Sequence, residues 1–476
     1  MDIFIPYLFL FLLLPFSLYL ILFFHKEDSD DPKNLPPGTN GWPILGENVN
    51  LGLLGLSKFI RGRMEKYSPD VFRTSLLGEK VAVFCGAQGN KIIFTNDGKL
   101  VTPWLPLSLK KVLVPDLDDS SSYKEGFDVF NKFKYDTLKP EALRQYIPVM
   151  DAMARVHLRD DGWKPHFAVK VQPLINKYTF ELSCRLFFNV TDPEKLQTLS
   201  GPFGPMRNGL MSLPIDLPWT AFGRGLKAGN IVRAEMTKIV EARREEMMRK
   251  GRGEDRDMLS KMLEVKDEEG KFISVKKIVN LFVGLLVASF DSTASATNAM
   301  VFYLAEYPHV YEEVLKEQMA IAKSKAPGEN LTWEDVDKMK YSWNVAREVL
   351  RLVPTTPGTF KEAMTDISFA GFTIPKGMKT FWTPHSSHLN PEYFPEPEKF
   401  DPSRFEGSGP APYTYVPFGG GARMCPGRVY AKLAILVLMH NLVTKFRFKK
   451  VIPHEKMVVE FSASPSHGLH LHLYPH

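Results

Sequence analysis

Cysteine is scarce in this chain. The 476 residues include three, Cys85, Cys184 and Cys425. The count is odd and no two are spaced as C-x-x-C, which excludes a disulfide framework and a structural zinc ribbon and favours a reducing compartment. Internal repeats and long low-complexity linkers are also missing, so neither a solenoid nor a string of tethered modules fits. A strong charge of one sign is lacking too. Lys and Arg number 60 against 54 Asp and Glu, a net charge of +6, too mild over this length to argue for nucleic acid. Nor is the chain very polar. Hydrophobic residues make up 44% and charged residues 24%, which excludes disorder and implies a large buried core.

What is there begins with an apolar run, Ile3 to Phe24, interrupted by Pro6, Tyr7, Pro15, Ser17 and Tyr19. It is about long enough to cross a ~30 Å hydrocarbon core as a helix. The competing reading is a cleaved secretory signal. No basic residue precedes the run and no A-x-A-like site follows it, so residues 1–24 read as a retained single membrane anchor. Lys26 stands alone among acids behind it, so flanking charge says little about orientation. The unpaired cysteines favour a body facing the cytosol. Residues 25–46 read as an acidic, Pro-rich connector, stiffened at Pro36 and Pro37 by their fixed φ.

Residues 47–476 read as one large domain. Val71 to Cys85 has short β-branched runs around Gly78 and predicts a hairpin. From about Ala142 to Lys340 the periodicity is mostly helical. Short strands are expected at Ile367 to Ile374 and Met378 to Thr383, and a helix from Arg428 to about Thr444. Between them, Pro384 to Gly421 is rich in Pro, Gly, Phe and Tyr, and so long an irregular stretch inside a domain is usually functional. The fold class is mainly α with small peripheral β-sheets.

The most informative stretch runs from Phe418 through Gly419, Gly420, Gly421, Ala422, Arg423, Met424, Cys425 and Pro426 to Gly427. Consecutive glycines permit tight turns and close approach to a flat ligand. Pro426 suits the first turn of the following helix, which puts Cys425 at a helix N-terminus where N–H groups favour thiolate. Thiolate is a soft iron ligand and, on haem, promotes O–O cleavage. Arg423 is able to pair with an anionic haem propionate. A buried inert cysteine is the bland alternative, but F-x-x-G-x-R-x-C-x-G is complete here.

This loop resembles the haem-binding loop of the cytochrome P-450 monooxygenases. Other parts of that family's pattern follow in order. Glu348 to Arg351 matches its E-x-x-R helix, and Phe400 to Phe405 its F-x-P-x-R-F segment. The resemblance implies the cytochrome P-450 fold, haem b on a Cys425 thiolate, and an ion network of Glu348, Arg351 and Arg404 holding the loop. It also implies contacts from Phe418, Gly421 and Gly427, and it makes Lys361 and Lys132 candidate propionate partners. The family usually carries an Arg in the segment before Leu138. Here that segment reads Phe130, Asn131, Lys132, Phe133, Lys134, Tyr135, so Lys132 or Lys134 stands in.

Ile278 to Leu304 is too apolar all round for a surface helix. Gly284, Ala288, Ser292 and Ser295 form a strip of small residues beside Asp291, a groove for a flat ligand. A buried carboxylate is costly unless paired or functional. The family's A/G-G-x-D/E-T-T reads here as Ala288, Ser289, Phe290, Asp291, Ser292, Thr293. The hydroxyl survives, so Asp291, Ser292 and Thr293 are the candidate catalytic residues for proton delivery. Segments around Leu138, Ser212 and Asn390 resemble the plant branch that oxidises triterpenoids, the amyrin oxidases. Candidate substrate contacts are Trp104, Leu210, Phe282, Leu286, Phe290, Pro357 and Thr359, with Leu105, Leu107 and Met211 beside them, an apolar set suited to a rigid hydrocarbon.

The resemblance implies a monooxygenase of the endoplasmic reticulum membrane facing the cytosol. It would use dioxygen, a hydrophobic substrate and electrons from NADPH through a flavoprotein reductase. Arg428, Lys432, Lys445, Arg447, Lys449 and Lys450 form a basic cluster for an acidic partner or an ordinary solvated face. Two other readings stay open: a haem-thiolate isomerase or dehydratase of lipid hydroperoxides, and a catalytically impaired haem or sterol carrier.

Overall fold

A computed structural model describes residues 34–42, 46–115, 137–160, 162–250, 257–267, 269–459 and 462–476, together with Leu14, Ser17, Leu18 and Phe133. The expected anchor therefore lies outside the described residues except at Leu14, Ser17 and Leu18. Lys132 and Lys134 lie outside them as well. The chain divides into two compact units, Met1–Pro106 with Gly358–Ser387, and Leu107–Pro357 with His388–His476.

In the first unit, β1 (Val71–Leu76) and β2 (Glu79–Phe84) form the hairpin expected around Gly78. Leu77 and Gly78 have φ of 54° and 87°, the two-residue turn whose twist matches paired strands. With β3 (Val101–Pro103), β4 (Thr359–Ala363) and β5 (Lys379–Trp382) they build a five-stranded sheet in the order β1-β2-β5-β4-β3. The β2–β5 pair is parallel and the others antiparallel. The connector is bound to this unit, at β1 and at a separate two-stranded hairpin that contains Thr373. Pro37 O accepts from Arg73 N at 2.8 Å, Pro36 O accepts from Arg73 Nε at 2.7 Å, and Asn34 O accepts from Thr373 N at 2.7 Å.

The second unit is a helical assembly with α1 (Ile147–Asp160), α2 (Val171–Phe188), α3 (Phe203–Leu210), α4 (Ala221–Lys250), α5 (Val275–Glu306), α6 (Pro308–Lys323), α7 (Lys340–Leu352) and α8 (Arg428–Lys445). Its longest helix, α5, starts where Ser274 Oγ accepts from Lys277 N at 3.3 Å, which satisfies one orphan N–H of the first turn. Among the described residues it is the one helix long and apolar enough to cross a membrane. Two thirds of its apolar window is buried in protein, so it is a core helix, as its all-round apolarity predicts.

Helices α3 and α4 approach each other at Gly209 and Gly225. A Cβ on Gly209 would lie 2.7 Å from Gly225 Cα, so neither position has room for a side chain. Between the helices, Thr220 Oγ1 donates to Ile215 O at 2.6 Å and accepts from Gly223 N at 3.0 Å. Gly225→Ala should therefore push α3 and α4 apart, at about 1–3 kcal/mol for an overpacked contact. Gly204 on α3 has nothing within 4 Å of its Cβ direction, and Gly204→Ala should be neutral or gain about 0.5–1 kcal/mol in helix propensity. Thermal unfolding followed by circular dichroism checks both. Equal midpoints for the two variants would contradict the close crossing.

Candidate active site

The thiol loop closes on itself. Cys425 N donates to Phe418 O at 2.9 Å, and Gly419 N donates to Val416 O at 3.0 Å. Gly419 and Gly421 both have φ of +68°, a conformation open to glycine at no steric cost. The three cysteines then separate by environment. Cys425 is exposed, whereas Cys85 and Cys184 are buried. Burial raises both of the latter thiols far above their ordinary range, and Asp70 and Glu181 add to the effect. Neither supplies a ready thiolate. The helix α8 starts at Arg428 as expected, with Gly427 as its N-cap. Pro426 is thus outside the helix and not in its first turn, and Cys425 precedes the cap by two residues. Gly427 stays close to the thiol, since a Cβ there would be 3.7 Å from Cys425 Sγ. Arg423 ends the short 3₁₀ turn Gly421–Arg423, and Phe418 is half-buried against the core.

Beneath the loop lies the Glu348–Arg351 pair of α7, both fully buried. Arg351 Nε and Nη2 donate to the two Glu348 carboxylate oxygens at 2.7 and 2.8 Å. Nη1 donates to His388 O at 2.9 Å and to Pro397 O at 2.8 Å, and Nη2 donates also to Lys399 O at 3.1 Å. Every N–H of the guanidinium fork is used. Glu348 Oε1 further accepts from Asp401 N at 2.9 Å. Arg404 joins more loosely. Its Nε stands 3.4 Å from Glu348 Oε1 without hydrogen-bond alignment, and its Nη2 donates to Glu396 O at 2.9 Å.

Along α5 the strip of small residues is real but shorter than expected. Ala288 is exposed on a helix whose other residues are mostly buried, with Gly284 and Ser292 half-buried in line with it. Ser295, in phase with the strip, is covered, with its Oγ donating to Ala463 O at 2.7 Å. Ser292 Oγ donates to Ala288 O at 2.7 Å, which leaves its lone pairs as acceptors. Asp291 is nearly buried and pairs with Arg207 Nη1 of α3 at 3.2 Å. Arg207 went unnoticed in the sequence because nothing near Asp291 in the chain points to it. Thr293 is buried one residue beyond Ser292.

Several expected contacts are corrected. Phe282, Leu286 and Phe290 are each two positions from a strip residue, about 200° around the helix. They face the core. Phe282 packs edge-on against Phe188 at 5.2 Å, and Phe290 against Phe180 at 5.4 Å and Phe203 at 5.9 Å. Leu286 is fully buried, as is Leu210, whose carbonyl accepts from Ser108 Oγ at 2.7 Å. Lys361 is engaged by Asp97, which its buried ammonium holds at 2.5 Å. Both lie in the first unit, where Trp104 packs against Phe360 at 5.9 Å and Thr359 is exposed. Pro357 is buried at the end of the second unit's first segment. Half of the basic cluster is paired with acids. Lys432 pairs with Asp337, Arg447 with Glu312 and Lys450 with Glu306, while Lys445 donates to Leu158 O.

Comparison with known proteins places this geometry. The sequence profile of the cytochrome P450 family matches residues 36–470. A beta-amyrin 6-beta-monooxygenase of Solanum lycopersicum is 50% identical and covers 100% of both chains. A beta-amyrin 28-monooxygenase of the same plant is 49% identical over 97% of this chain and 96% of its own. Among solved structures, a retinoic acid-bound cyanobacterial CYP120A1 superposes with a TM-score of 0.82 at 30% identity, over 93% of this chain and 100% of its own.

The unequal roles of the charged residues can be measured. Glu348→Ala leaves a fully buried guanidinium with donors unmet and should cost about 3–5 kcal/mol. Arg404→Ala removes one unaligned ion contact and one carbonyl bond and should cost about 1 kcal/mol. Unfolding midpoints and the yield of soluble protein should follow that order. Equal losses would mean that Arg404 is as integral as the bidentate pair.

Proposed function

The chain belongs to the cytochrome P450 family, and from that premise we propose that it oxidises a beta-amyrin-type triterpene at the membrane, with electrons from NADPH through a flavoprotein reductase. It is a haem-thiolate monooxygenase that uses dioxygen, a redox partner and a hydrophobic substrate. The triterpene reading is supported by two curated relatives that are beta-amyrin monooxygenases at about half identity over nearly the whole length. They leave the isomerase and carrier readings without support. The anchor, the endoplasmic reticulum and the cytosolic face are part of this proposal.

The observation that carries the site is Cys425, the one exposed cysteine, in a self-closed glycine loop. The residues present fit haem. Cys425 would supply the axial thiolate, Arg423 would face a propionate, and the exposed Ala288 offers a surface without a bulky side chain. When bound, haem supplies the iron chemistry that activates dioxygen for insertion of one oxygen atom into the substrate. The protein's part is to hold and pass protons. Ser292, with its own proton given to Ala288 O, accepts a hydrogen bond from a water or other donor on the Ala288 side. Asp291 is held at the solvent edge by Arg207, whose side chain is 41% exposed, and its carboxylate exchanges protons with water there.

Two experiments test this. Co-expression with a beta-amyrin-forming cyclase and a reductase should give oxidised beta-amyrin by mass spectrometry, and Cys425→Ser should give none. Unchanged beta-amyrin with the parent enzyme refutes the substrate. Ser292→Ala should keep most NADPH consumption and lose most product, because the uptake of electrons does not need the hydroxyl and productive proton transfer does. An unchanged ratio of product to NADPH assigns the proton to another group, with Thr293 as the nearest hydroxyl in sequence.

A further inference from the structure

We propose that His388 is a positioning residue that holds the Cys425 loop onto the end of α7 through a single fixed tautomer. The proposal rests on the reading of Cys425 as the haem ligand. His388 is fully buried. Val416 N donates to its Nε2 at 2.8 Å, so Nε2 carries no proton. A neutral imidazole then has its hydrogen on Nδ1, and Nδ1 stands 3.3 Å from Arg351 O. Arg351 is in the last turn of α7, where helix carbonyls lack partners within the helix. The ring therefore caps a helix carbonyl with one nitrogen and receives the loop with the other.

The surroundings fix the ring in that pose. His388's own carbonyl accepts from Arg351 Nη1 at 2.9 Å, so the two residues clasp each other twice. Tyr415 stacks on the imidazole at 5.3 Å and 24°, and its hydroxyl donates to Arg347 O at 3.0 Å. The link runs on to the thiol. Val416, pinned at its N–H by His388, accepts at its carbonyl from Gly419 N, and Phe418 O then accepts from Cys425 N. Without an acceptor at Nε2, the buried Val416 N–H has nothing to bind, and the first residue of the loop turn loses its hold on α7.

Side-chain length separates the two halves of this function. A Gln amide reaches where Nε2 lies, and an Asn amide reaches only as far as Nδ1. Full-length parent, His388→Gln, His388→Asn and Cys425→Ser proteins are compared by the Soret band of the reduced carbon monoxide complex and by haem loss to apomyoglobin. His388→Gln should keep the thiolate band and near-parental haem retention. His388→Asn should lose the thiolate band progressively and release haem roughly tenfold faster, the factor expected of one unmatched buried N–H. Gln and Asn variants that behave alike, whether both intact or both impaired, overturn the proposal, as does a better Asn variant. A thiolate band that survives in Cys425→Ser refutes the ligand assignment instead, which is a separate outcome.

Discussion

A guanidinium cut off from water has to find an acceptor for each of its N–H groups, and the second unit is shaped by that demand at Arg351. Glu348 supplies two acceptors, and the carbonyls of His388, Pro397 and Lys399 supply the rest. These carbonyls lie in a stretch with almost no regular structure. Its path is nonetheless defined, because each turn must present an oxygen to a buried cation. Glu348 extends the same logic by accepting from Asp401 N. The packing agrees, with Phe394 beneath the guanidinium at 5.1 Å and Phe400 stacked against both Tyr303 at 4.7 Å and Tyr307 at 5.0 Å. A long irregular segment becomes rigid when its backbone solvates an ion in place of water.

The helix α5 solves a different problem. It must be anchored firmly and still leave one face bare. The aromatic contacts of Phe282 and Phe290 hold one side in the core, while Gly284, Ala288 and Ser292 leave the other without bulk. Asp291 stands at the boundary between the two. Its charge is tolerated because Arg207 comes from a neighbouring helix to meet it, and Arg207 keeps enough exposure to remain solvated.

Much of this was legible in the chain itself. Glu348 and Arg351 could be paired from their spacing, since residues three apart on a helix are neighbours. The cysteine loop announced itself by its glycines. Legibility ended where a partner was a carbonyl or lay far away in sequence. Nothing near Lys361 points to Asp97, which is 264 positions earlier, and the carbonyls around Arg351 have no side-chain signature. The core positions of Phe282, Leu286 and Phe290 were also open to view, because helical phase alone sets them opposite the small-residue strip. Ser295 keeps the phase of that strip but is covered there, with Ala463 O as its partner.

The binding of the connector to the first unit has a consequence for how the enzyme meets its substrate. Asn34, Pro36 and Pro37 are tied to Arg73 and Thr373, so only residues 25–33 separate that unit from the proposed anchor. A fully extended chain of that length spans about 30 Å. With the anchor proposed above, the body would be leashed within roughly one bilayer thickness of the lipid surface. A triterpene dissolved in the membrane would then be sought by lateral diffusion in two dimensions, its effective concentration set by the lipid phase and not by its negligible solubility in water.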